Sequence, residues 1–381
     1  MPDTCPRRST RRDHRPLILT AGLLGLFAAP SAPAPSFPAQ LSPARARPIS
    51  GTAVREFAPL DRAVLDFMDR IDCQAATVAV SRNGKLVYSR GYGWSDAHQK
   101  KPTAPEAIMR IAGLTQRITV VAVKKLIRDG KLSSGTKVFR LLNLKPPKGV
   151  VADPRLYEIT VGQLLDNQGG WDAQVTFDPF TRLREIQKSL HLSHRPHPAE
   201  VIRYMLGQPL QFEPGRRTAP SNFGFCVLGR VIEKASGQTY EKYIQEEILR
   251  PLGVDDMKLA RSLPRDRDPH EVWYPVKDVV VELTDSYGGL VASAPSLCKY
   301  LDAYWADGEP REAGEELQFS YSGNFEGTTA YIRQRPDGYN VAVLFNGRRA
   351  ASKQEEDDRE LERIVNDAID KVPAARVRAV P

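Results

Sequence analysis

The alternation of apolar and polar positions divides the chain into regions of different period. In LDRAVLDFMDRI, Leu60 to Ile71, apolar residues at 60, 64, 67, 68 and 71 recur at helical spacing and predict an amphipathic helix. ATVAVSRNGKLVYSRGYG follows, two β-rich runs around Asn83-Gly84, a pair suited to the positive backbone angles of a tight hairpin turn. A second hairpin is predicted far downstream, with strands at about 328–335 and 339–346 and Asp337-Gly338 at the turn. Leu361, Ile364, Val365, Ala368 and Ile369 keep helical spacing, so a final helix can cover the strands. Between the hairpins the pattern is mostly helical with long loops. An antiparallel sheet assembled from both chain ends, with a helical region inserted, is an α+β architecture.

Composition adds a leader and removes some partners. With 41% hydrophobic and 26% charged residues, wholesale disorder is excluded for most of the chain. An arginine-rich start, the apolar run Leu17 to Ala29 and the small residues after it read as a signal peptide over 1–34, too short to span a bilayer comfortably. An exported protein, periplasmic or secreted, with no stable membrane span after cleavage is the expectation. Residues 35–54 form a Pro/Ala-rich spacer, 55–371 the folded domain and 372–381 a tail. Five arginines and two aspartates in the leader leave about +5 of the formal +8 for the rest. No dense basic run interleaved with aromatics appears, so no nucleic-acid partner is expected. Beyond the leader's Cys5, Cys73, Cys226 and Cys298 imply no disulfide framework: buried thiols, or one bridge and one free thiol, both fit.

The ordered blocks MRIAGLTQRITVVAVKKLIRDGKLSSGTKVFRLL, ITVGQLLDNQGGWD, FEPGRRTAPSNFGFCVLGRVIEKASGQTY, ILRPLGVDDM, YGGLVASAPSL and YSGNFEGTTAYIRQRPDGYNVAVLFNGR carry further information. Together they resemble the β-lactamase-related serine hydrolases, a group that includes class C β-lactamases, D-alanyl-D-alanine peptidases and esterases, over about residues 57 to 370. The resemblance implies a β-lactamase/transpeptidase-like fold. It also implies a serine at a helix N-terminus, a lysine one turn later, a Tyr-x-Asn loop and an edge-strand Lys- or His-containing triplet ending in glycine.

At the matching positions this chain has Gly113 for the serine, Gln116 for the lysine, Pro220 for the tyrosine and Tyr321 for the triplet's first residue. Asn222 is retained, as are Ser322 and Gly323. Glycine has no atom with which to form an acyl-enzyme, an amide is no base near neutral pH, and proline offers neither hydroxyl nor N–H. A phenol ordinarily titrates near pH 10. The resemblance therefore implies a pseudoenzyme, acting as a binding or interaction module toward cell-wall peptides or small acyl compounds. The amides of Gly113 and Asn324 are the expected remnant of an oxyanion hole, and Asn222, Ser322, Gly323 and Trp171 are further ligand-binding candidates. No cofactor is expected.

Other groups compete for attention. Ser134 with Lys137, and Ser296 with Lys299, match Ser-x-x-Lys but are read as lacking the required helix context. Thr115 reads as a capping or helix-surface hydroxyl and Ser221 as a loop hydrogen-bonder; either as a relocated nucleophile gives the alternative, a weakly active esterase or amidase. Trp171 and Asp172 either line a cleft or pack beneath a glycine turn. Cys226 is read as a helix-packing thiol. His191, His194 and His197 fall within seven residues, but the spacing fits no firm ligand motif and Pro196 and Pro198 break any helix, so a polar loop and no metal are expected.

Overall fold

Asn83 and Gly84 both take positive φ, 50° and 76°, as a two-residue hairpin turn requires. They join β2 (Ala75–Arg82) to β3 (Lys85–Gly93). The computed structural model describes residues 47–373 except 277, 278, 313 and 316. The predicted signal peptide, the spacer as far as residue 46 and the tail from 374 lie outside the described residues. Ile49–Ser50, placed in the spacer by composition, is β1, an edge strand paired with Gly91 and Tyr92 of β3. Two residues of main-chain pairing are too short a signal for composition to reveal.

The helix predicted over 60–71 is α1, Ala58–Arg70. The downstream strands are β8 (Thr328–Gln334) and β9 (Tyr339–Phe345), with β7 (Phe319–Phe325) outside them. Antiparallel pairing of β2 with β9, Ala76 opposite Phe345 and Val80 opposite Val341, joins the two ends of the chain. The sheet order is β1-β3-β2-β9-β8-β7, so β7 is an edge. Its period of two sorts side chains to two faces. Ala76, Val78, Val80, Val341, Val343 and Phe345 meet Phe67 and Met68 of α1 and Leu361 and Val365 of α10 (Gln354–Ile369). Ala75, Ala79, Ala330 and Ala342 face the other way, and their small size lets α9 (Ala294–Ala303) lie close against β2 and β9.

The inserted region is built around two helices. The first, α2 (Thr115–Arg128), is buried along Thr115 to Val123 and ends with Gly130 at φ 73°, the glycine cap expected from Asp129-Gly130. The second, α7 (Asn222–Ser236), packs on α2 and is surrounded by α3 (Val138–Leu142), α4 (Val161–Leu165), α6 (Pro198–Met205) and α8 (Tyr240–Ile244), with α5 (Leu183–Ser189) outside α6. A small sheet of β4 (Met109–Arg110), β6 (Leu290–Ala292) and β5 (Lys258–Leu259) leads the chain into α2. The fold is α+β as expected. Cys73, Cys226 and Cys298 are free and buried, with no bridge among them.

Candidate functional site

The start of α2 and the edge strand β7 meet backbone to backbone. A 3-10 turn, Ala112–Leu114, precedes α2, and Ala112 holds φ 46°, a left-handed conformation that a residue with a Cβ seldom adopts. Gly113 therefore occupies the helix N-terminus with a strained residue in front of it. A Cβ on Gly323 would lie 2.6 Å from the Ile111 carbonyl and 2.8 Å from the Gly113 nitrogen, so only glycine fits there. Gly113 is different. A Cβ on it would meet nothing closer than Gly323 Cα at 3.5 Å, ordinary contact.

From Gly113 one helical turn leads to Gln116, which is buried. Its Oε1 accepts from the Tyr321 hydroxyl at 3.0 Å, and its Nε2 donates to Asn222 Oδ1 at 3.2 Å. Asn222 in turn donates from Nδ2 to Asp178 Oδ2 at 2.8 Å. Asp178 caps the turn Pro179–Thr181, its Oδ1 accepting from Phe180 N at 2.9 Å. Phenol, amide, amide and carboxylate thus form one directional ladder, each amide accepting on one side and donating on the other. Burial holds the Asp178 carboxyl above the usual range, against the pull of the Phe180 and Asn222 donors. Arg117 lies over the Tyr321 ring with Cζ 4.4 Å from its centroid, and Nη1 donates to the Ala306 carbonyl at 3.3 Å. Tyr321 is held at its hydroxyl and at one face.

Strand alternation separates the expected binding residues. Tyr321 and Gly323 face α2, whereas Ser322 and Asn324 turn toward α10. Asn324 Nδ2 donates to Asp358 Oδ1 at 3.0 Å, and Ser322 also hydrogen-bonds that carboxyl. Burial raises Asp358 while those donors pull it back. The side chains of Ser322 and Asn324 are therefore engaged at the sheet–helix junction; the contribution expected of Asn324 is that of its main-chain amide, not of this side chain. Asn222 is committed to the ladder. Pro220 is exposed and stands outside it.

Trp171 is buried, with its ring 4.7 Å from Phe223 in an edge-to-face pair and 6.1 Å from Phe139. It also borders a cavity of about 10 Å³ shared with Asp178, Met205, Ser221 and Asn222, room for about one water. Trp171 Nε1 has no hydrogen-bond partner among the described residues, and the ring contacts show the packing reading of this residue. Asp172 is paired with Arg217 at 2.7 Å. A roomier pocket of about 610 Å³ lies among Asn83, Asp302, Arg311 and Gly338 and shares no residue with the ladder.

The alternative nucleophiles have other tasks. Thr115 is fully buried, not on the helix surface, and its Oγ1 accepts from Leu290 N at 3.2 Å, tying α2 to β6. Ser221 caps α7, accepting from Gly224 N at 3.1 Å. Ser134 sits in an exposed turn as expected. Ser296, by contrast, lies in the first turn of α9, so its helix context was misjudged from sequence; Ala294-Pro295 opens the helix beneath the Ser293 cap. Lys299 nonetheless points to the surface and donates to the Gly253 carbonyl at 3.1 Å. The Cys226 thiol is pushed up by burial, consistent with packing.

The geometry of a helix N-terminus against an edge strand is accompanied by a match in sequence. Residues 60–362 match the family described as Beta-lactamase. The chain belongs to the Beta-lactamase family. Among curated relatives of this Beta-lactamase-family chain is a putative fimbrial assembly protein FimD (serogroup D) of Dichelobacter nodosus. It is 29% identical over 188 residues, 49% of this chain and 44% of that protein. Protein flp of Staphylococcus aureus (strain N315) is 26% identical over 193 residues, 51% of this chain and 36% of the relative. The match spans less than half the length of those relatives. A β-lactamase/D-alanine carboxypeptidase from Yersinia pestis, solved with citrate, superposes with a TM-score of 0.62 at 14% identity, covering 82% of this chain and 98% of that one. At that identity the likeness concerns the fold alone. No helix among the described residues is long and apolar enough to cross a membrane.

Asp178, Arg117 and Asp358 were missed from sequence. Asp178 had a faint signal, Asp before Pro at the start of a turn. Asp358 sits in the acidic run EEDDRE, which reads as a solvated helix face.

Proposed function

We infer that this chain is a Beta-lactamase-family domain without acyl-transfer activity, exported by its leader and acting as a binding or interaction module. One observation carries the reading. Where the family's chemistry requires a nucleophile and two proton carriers, a hydrogen-bonded ladder runs from Tyr321 through Gln116 and Asn222 to Asp178. Neither amide can take a proton near neutral pH, and Gly113 presents no attacking atom. Loss of a nucleophile alone removes about a million-fold of turnover in a serine protease.

Burial of Gly113, Gln116, Tyr321 and Asn324 supports engagement of partners by the outer surface more than by an acyl pocket. Cell-wall peptides and small acyl compounds remain the partner chemistry suggested by the fold. A relative named for fimbrial assembly supports an assembly-type role. Relocated hydrolysis is disfavoured because Thr115 is buried and Ser221 serves as a cap.

The test is turnover of p-nitrophenyl acyl esters, a penicillin and a D-alanyl-D-alanine peptide by the purified full chain. Rates should equal those of buffer. Hydrolysis that disappears on Thr115→Ala or Ser221→Ala would overturn the reading.

A further inference from the structure

The α5–α6 connection carries a cluster outside the ladder, two of whose members, His197 and Glu200, also form the capping box of α6. Read along the chain, His191, His194 and His197 look equivalent. Folding separates them: His191 takes φ 51° and stands apart, while His194 and His197 come together with Glu200 of α6. One ligand atom from each of these three residues lies within 4.8 Å of the other two. The imidazole rings are 5.0 Å apart at their centroids. His194 Nε2 faces Glu200 Oε1 at 3.7 Å.

We propose that His194, His197 and Glu200 form a binding site for a zinc-type divalent cation. Two imidazoles and a carboxylate are a common zinc donor set, with the remaining position open to water. Bonds of about 2.0–2.1 Å in a tetrahedron place ligand atoms roughly 3.4 Å apart, so the 3.7 Å pair is nearly closed and the third needs a small side-chain rotation.

The surroundings favour a ligating arrangement over a chance meeting of polar groups. His194 Nδ1 donates to the Arg195 carbonyl at 2.9 Å, which fixes the tautomer and leaves Nε2 with its lone pair toward Glu200. Glu200 is held from behind, its Oε2 accepting from His197 N at 2.8 Å, while Oε1 stays free for a cation. Pro196 and Pro198 restrict the backbone that carries the two histidines, reducing the entropy lost on binding. A helix N-terminus by itself disfavours a cation, and the Glu200 carboxylate supplies the compensating charge. The expected absence of a metal came from the histidine spacing and the helix-breaking Pro196 and Pro198, neither of which gave an indication of Glu200. At its other end α6 places Met205 beside Asp178 and Asn222, so a bound cation would anchor the helix that borders the ladder.

Equilibrium dialysis of the untagged full chain against Zn²⁺, with metal counted by elemental analysis, tests the site. One ion per chain is expected, with Co²⁺ giving the visible absorption of a tetrahedral site and Mg²⁺ failing to compete. His194→Ala, His197→Ala and Glu200→Gln should each weaken Zn²⁺ binding about tenfold or more, and His191→Ala should not. Substoichiometric binding, equal competition by Mg²⁺, or affinity that survives all three substitutions would overturn the proposal.

Discussion

The Tyr321 hydroxyl donates to Gln116 Oε1 at 3.0 Å, across the junction of edge strand and buried helix. The relationship makes two residues that look like losses into a structural pair. Removing Gln116 leaves the phenol and Asn222 Oδ1 without partners. Gln116→Ala should therefore destabilise the fold by roughly 1–3 kcal/mol, and Tyr321→Phe by about 1 kcal/mol. The two should be non-additive in a double-mutant cycle read by denaturant unfolding; strict additivity would mean the bond contributes nothing.

The two glycines facing each other at this junction should behave oppositely. Gly323→Ala drives a Cβ into the Ile111 carbonyl and the Gly113 and Leu114 nitrogens, all main-chain atoms, and should cost about 3 kcal/mol or more, or prevent folding. Gly113→Ser would place its Cβ in ordinary contact and has a negative φ, so its stability should stay within about 1 kcal/mol of the parent. Thermal unfolding of both variants decides the point.

Restoring the serine alone should not restore chemistry. Gly113→Ser still faces an amide at Gln116, which cannot take its proton. Ester turnover should remain at background in the single variant. It should rise only when Gln116→Lys is added, and activity in the single variant would show that another base operates in the site.

The pH dependence follows from the buried Asp178. Its carboxyl is raised in the folded chain, so between the ordinary carboxylate range and that raised value the native state holds more protons than the unfolded one. The contribution of Asp178 to stability therefore falls as pH rises through this window. Asp178→Asn removes the titration, so the stability of the parent minus that of the variant should decrease from pH 4 to 7. A constant or increasing difference would contradict the assigned direction.

Much of this fold is legible in the sequence. Asn83-Gly84 marks a hairpin because few other pairs tolerate both positive angles, and the periodicity of α1 and α10 reports the face they bury. Ordered motifs located Gly113, Gln116 and Tyr321, because glycine-closed triplets and helix starts leave local marks. The ladder was harder to see. Asn222 and Asp178 are joined by a hydrogen bond across 44 residues, and nothing local distinguishes a buried Asp before proline from a solvated one. The orientation of Ser322 and Asn324 was available from the strand's period of two, which puts both on the face opposite Tyr321. Thr115 was misplaced because an amphipathic pattern cannot reveal that a helix start is covered by a second sheet.

The most direct measurement of the central claim is the intact mass of the full chain after incubation with a fluorophosphonate and, separately, with a penicillin. The unreactive site described here predicts an unchanged mass with both. A stoichiometric adduct on any serine or threonine beside Gly113, Asn222 or Tyr321 would contradict it.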